Sequence, residues 1–67
     1  MDDEGTVSIH YRNHKRVTIH LANGTDHSNL VISEVRITGP ITRFGRDDGN
    51  GWREFVAIPT ANILSWE

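Results

Sequence analysis

The chain contains no cysteine. Disulfides therefore cannot supplement its core, and a thiolate metal centre is excluded. Neither sign of charge dominates: seven Lys and Arg stand against nine Asp and Glu, for a formal net charge of −2. Wholesale coating of nucleic acid, which needs a basic excess, is not expected, although a local basic patch is compatible with these numbers. No apolar run approaches the length of a membrane span, and the start Met1-Asp2-Asp3-Glu4 is unlike a secretory leader. A cytoplasmic protein with no membrane contact is the expectation. Asn23-Gly24-Thr25 matches a glycosylation sequon, but without a leader it reads as a turn. At 67 residues one domain is the only reasonable count, and a chain this short is marginally stable alone. Dense packing, a partner or self-association must compensate, and a homo-oligomer is expected.

What is present is β-branched and alternating. Met1–Gly5 reads as a solvated tail, and residues 6–67 as a single domain. Val7, Ile9 and Tyr11 alternate with Thr6, Ser8 and His10, the period-two pattern of a strand. Arg12-Asn13-His14-Lys15 is polar, and alternation resumes with Val17, Ile19 and Leu21. Parity lets these two runs pair as a hairpin with Tyr11 opposite Val17. Asn23-Gly24 ends the second run, and residues 25–29 read as a polar connection.

In "NLVISEVRITG" the apolar positions change parity, from Leu30 and Ile32 to Val35 and Ile37. One extra residue near Ser33-Glu34 would invert the buried face, so a bulge or sharp bend is expected there. Bends of this kind help to close small barrels. Ile41–Phe44 reads as a short strand, "GRDDGNG" as a mobile turn, "WREFVAI" as a strand and Asn62–Trp66 as a last strand. Pro59 disfavours a helix across "FVAIPTANILSW" because it lacks an N–H and clashes with the preceding turn. No Asn-Gly or Asp-Gly pair supplies a two-residue hairpin there. A strand, a single 3₁₀ turn at about Pro59–Asn62 and a closing strand fit best.

The fold class expected is all-β: a small barrel of five to six strands with a 3₁₀ turn before the last. "AIPTANILSW" resembles the ending of SH3-type barrels, and Gly51-Trp52 stands where such domains often carry Gly-Trp. "RVTIHLANGT", "NLVISEVRI" and "EFVAIPTANILSW" together resemble the Sm-like barrel: opening strand and corner, long bent strand, closing pair. The acidic run facing tyrosines of the SH3 peptide groove is missing. The Sm-like closing glycine is replaced by Pro59-Thr60, the Sm-like aspartate is missing, and Thr6–Tyr11 stands where that family has a helix. The resemblance implies an SH3-like or Sm-like barrel and carries over neither family's function.

Candidate chemistry is sparse. His10, His14, His20 and His27 are titratable near neutral pH and suit zinc. On the expected hairpin His10 and His20 would face one side, but the ligand spacing of a metal site is lacking, and surface histidines are the expectation. Asp48, Asn50 and Gly51 fall at EF-hand spacing, yet Arg46 and Ala57 occupy the first and last ligand positions. No catalytic triad, phosphate loop or cofactor motif is legible, so no catalytic residue, cofactor or metal is assigned and the protein is not expected to be an enzyme.

Arg43, Phe44, Arg46, Trp52 and Arg53 cluster around the glycine-rich turn. Arginines with aromatics serve protein hot spots, and they also grip phosphates and stack bases. Phe44 and Trp52 can equally be core residues. Trp66 either closes the barrel or docks on another subunit. The leading expectation is a non-catalytic regulatory or adaptor module acting through a protein partner and self-association. The alternative is an Sm-like oligomer that binds RNA or a nucleotide.

Overall fold

The computed structural model describes residues 5–67. It is all-β. β1 spans Thr6–Leu21, β2 Asp26–Thr38, β3 Ile41–Asp47, β4 Trp52–Pro59 and β5 Ile63–Trp66. Thr60–Asn62 form a single 3₁₀ turn between β4 and β5, with Pro59 immediately before it. All neighbours are antiparallel, in the order β4-β3-β2-β1-β5. Four residues of the expected N-terminal tail, 1–4, lie outside the described residues. No helix among the described residues is long and apolar enough to cross a membrane.

The expected hairpin between Thr6–Tyr11 and Arg16–Leu21 does not form. Those two runs are the halves of one strand, β1, and both pair with β2: Ile9 with Val35, Val17 with Leu30. The reason is turn chemistry. Residues 12–15 contain neither glycine nor proline, whereas Asn23-Gly24 reverses the chain with Gly24 at φ 88°. Asn23 Oδ1 accepts the Thr25 amide at 3.0 Å, and the Gly24 amide donates to the Leu21 carbonyl at 3.1 Å. Tyr11 and the polar residues 12–14 are instead absorbed as an irregularity, since β1 advances from His10 to Lys15 while β2 advances only from Glu34 to Ile32.

That mismatch answers the parity change read from β2. Ile32 and Val35 are both fully buried although they are three apart, so the core-facing side inverts between them. A second irregularity follows between Val17 and Ile19, where β2 carries the extra residue. Asn29 lies in that stretch at φ 61°, a left-handed conformation that asparagine tolerates better than most residues. Residues 26–29, read as a loop, belong to β2 because His20 and Ile19 pair with Asp26 and His27. β3 also outlasts its expected end at Phe44, running on through Gly45-Arg46-Asp47.

The core is Val17, Ile19, Leu21, Ile32, Val35, Phe44 and Ile58, drawn from β1 to β4. Ile63 and Trp66 of β5 pack against it. Each fully buried side chain of this size contributes about 1.5–3 kcal/mol by leaving water. The sheet curls strongly. β3 and β5 are separated by two strands, a distance of about 14 Å in a flat sheet. Yet the Phe44 and Trp66 rings meet edge to face with centroids 5.2 Å apart. Trp66 thus closes the core, and its indole N–H donates to the Tyr11 hydroxyl at 3.1 Å. The curl stops short of closure: β4 and β5 are the two edges of the sheet. The 3₁₀ turn carries the chain between them, fixed by the Thr60 amide donating to the Pro40 carbonyl at 2.8 Å and a 2.8 Å hydroxyl contact between Thr42 and Thr60.

Candidate binding surfaces

Alternation along β3 and β4 divides the five clustered residues between surfaces. Phe44 is fully buried and is a core residue. As a stacking or contact residue it is therefore unavailable, a correction to its assignment as a ligand-binding residue. Its neighbour Arg43 must face the opposite side of the strand. Arg43 lies opposite Arg36 on β2, while Trp52 lies opposite Asp47. Arg43, Asp47 and Trp52 line one groove. Arg46 and Arg53 oppose each other as cross-strand partners, and Arg46 lines a different recess, together with Phe55. Five residues close in sequence thus reach a core and two separate surfaces.

The groove lies on the face turned away from the core and encloses about 640 Å³. Thr6, Ser8 and His10 of β1 border it, with Glu34, Arg36 and Thr38 of β2 alongside. These positions follow from the register, which sets Thr6 opposite Thr38, Ser8 opposite Arg36 and His10 opposite Glu34. Glu34 is buried, at 5% exposure. A buried carboxylate is costly unless it is paired, and the Arg36 Nε donates to its Oε2 at 2.7 Å. The Arg36 guanidinium in turn lies 4.0 Å from the centre of the Trp52 ring, a cation–π contact. His10 Nδ1 stands 3.8 Å from the other Glu34 oxygen. Arg43 is held by Glu54 at 3.0 Å. The groove is a polar surface whose charges are largely spent on one another.

Trp52 reaches its place because Gly45 lets β4 come close. A bulge separates the pairs Phe44–Val56 and Gly45–Glu54, leaving Phe55 as the extra residue. A Cβ on Gly45 would clash with the Arg53 carbonyl oxygen and stand 3.0 Å from the tip of the Trp52 indole. Glu34 and Arg36 were absent from the expected site. Their signal was present, since once β2 changes parity at Ser33 the residues Glu34, Arg36 and Thr38 share the face opposite Val35 and Ile37.

The histidines are dispersed. Without the expected hairpin, His10 and His20 are ten residues apart on one strand, beside different stretches of β2 at Glu34 and Asp26. His20 Nε2 lies 2.8 Å from Glu67 Oε1 and its Nδ1 lies 3.4 Å from Asp26 Oδ1. The hydrogen bond to Glu67 raises the His20 pKa above its usual 6.5; partial desolvation opposes this, and the Asp26 charge adds to it. Among the described residues no three His, Asp or Glu side chains converge to hold a metal ion.

No family model, curated protein or solved structure matches the chain.

Proposed function

We propose that this protein is a non-catalytic binding module that works through protein contacts and self-associates through the open edges of its sheet. The observation that carries this reading is the pair of unpaired edges, β4 and β5, at the two ends of the strand order. Edge strands present free N–H and C=O groups that another chain can complete. Leu64, in the edge strand β5, is 70% exposed and offers an apolar contact to an added chain. Association of β4 from one copy with β5 of the next would cover both edges and repeat head to tail. The strand order and the 3₁₀ turn before the last strand support an Sm-like or SH3-like reading of the fold. An adaptor or regulatory role fits a small module with a groove and two edges.

The nucleic-acid alternative needs Arg43, Arg46 and Arg53 on one surface with Phe44 or Trp52 free to stack. Arg43 is on a different surface from Arg46, Phe44 is in the core, and one face of Trp52 is occupied by Arg36. The geometry weighs against it.

Light scattering across the soluble concentration range tests the proposal. The wild-type chain is expected at a multiple of the single-chain mass, and Leu64→Lys, which places a charge on the edge, is expected to shift it towards monomer. A wild-type chain that stays monomeric throughout defeats the self-association reading.

A further inference from the structure

The recess behind the groove has a chemistry of its own. It is a shallow, open depression of about 400 Å³ lined by Asn29, Leu30, Val31, Arg46 and Phe55. Two sheet irregularities build it. The β4 bulge re-aims Phe55, which is 36% exposed, and the left-handed Asn29 turns the start of β2. The floor is apolar, from Leu30, Val31 and Phe55.

The rim is basic. Arg46 lies over the Phe55 ring at 4.9 Å. Arg53 is its cross-strand partner. Arg16 stands opposite Val31 and donates from Nη1 to Asn29 Oδ1 at 3.5 Å. The ion pairs among the described residues are His10–Glu34, His20–Asp26, His20–Glu67, Arg36–Glu34 and Arg43–Glu54. None involves Arg16, Arg46 or Arg53. In addition, Arg46 Nε is shielded from solvent and has no hydrogen-bond acceptor among the described residues.

We infer that this recess docks an acidic peptide segment bearing an aliphatic or aromatic side chain. The apolar side chain enters the recess, and flanking carboxylates reach the exposed guanidinium nitrogens of Arg16, Arg46 and Arg53. Charge complementarity selects the acidic partner. The apolar floor selects a peptide over a nucleic acid, because the accessible aromatic, Phe55, already carries a guanidinium on its ring and offers a base little to stack on. The inference extends the protein-contact reading but does not depend on edge pairing, since the recess is complete within one chain.

The test is fluorescence polarisation with a labelled peptide of about ten residues that alternates Asp and Glu with Leu and Phe. Saturable binding is expected, weakened about tenfold or more when the apolar residues become Ser, and similarly by Arg46→Glu or Phe55→Ser. Arg53→Glu changes an exposed side chain and keeps the test sound if the other two variants misfold; it too should weaken binding. A lysine-for-acid peptide and a single-stranded RNA of similar length should bind more weakly than the acidic peptide. The inference is overturned if the acidic peptide does not bind, if RNA competes it away at lower concentration, or if folded Arg53→Glu and Phe55→Ser bind as the wild type does. Binding by a monomeric chain, whether wild type or Leu64→Lys, would sustain this inference even where self-association fails.

Discussion

Gly45 sits inside β3 with the backbone of β4 pressed against the place its side chain would occupy. The clash that a Cβ would make is with a backbone carbonyl oxygen, which cannot rotate away. Gly45→Ala must therefore push the strands apart and unseat Trp52 from Arg36. A loss of about 1–3 kcal/mol is expected in urea unfolding, the usual range for overpacking. An unchanged midpoint would show that β4 gives way freely. In the sequence this glycine reads as the start of a turn, because close backbone approach and turn chemistry both select glycine and only the fold separates them. The division of Arg43 from Phe44 was legible by contrast. In a regular stretch of strand adjacent residues face opposite sides, so Arg43 and Phe44 do not serve one surface together.

At the scale of elements, β5 is the most lightly held strand. It has four residues, and its pairing with β1 runs through Ile19–Trp66, His20–Ser65 and Leu21–Ile63. Past its end, the Thr18 and Glu67 backbones exchange hydrogen bonds of 2.8 and 3.1 Å, and His20 clasps the Glu67 side chain. Because the His20 pKa is raised in the folded chain, protonation favours folding. That contribution is full below about pH 6.5 and is lost as pH climbs through the folded-state value. The melting temperature should fall as the pH rises from about 6 to about 8, and the fall should be smaller in His20→Gln. An identical profile in the variant would remove His20 as the cause. The turn before β5 was readable because Pro59 disfavours a helix there and no Asn-Gly or Asp-Gly pair supplies a two-residue hairpin. The continuity of β1 was not, since a polar stretch within an exposed strand has the same composition as a loop.

For the whole molecule, parity constrained the sheet without fixing its partners. The alternation of β1 and the inverted parity of β2 are each visible in the sequence, but either could have been satisfied by more than one pairing. The choice came from the strength of the Asn23-Gly24 turn. That choice leaves β1 hydrogen-bonded on both sides, and the two sides differ in how they must be assembled. His20 meets Asp26 six residues away and Ser65 forty-five residues away. Short loops close at lower entropic cost than long ones. The β1–β2 ribbon should therefore organise the rate-limiting step of folding, with β5 added after the barrier. In φ-value measurements Ile32→Val should slow refolding, while Ile63→Val should chiefly hasten unfolding. The reverse pattern would mean that the distant strand is captured early. A strand that joins last on folding is the first to leave, so the exposed flank of β1 is the surface that a partly unfolded chain would offer to its neighbours.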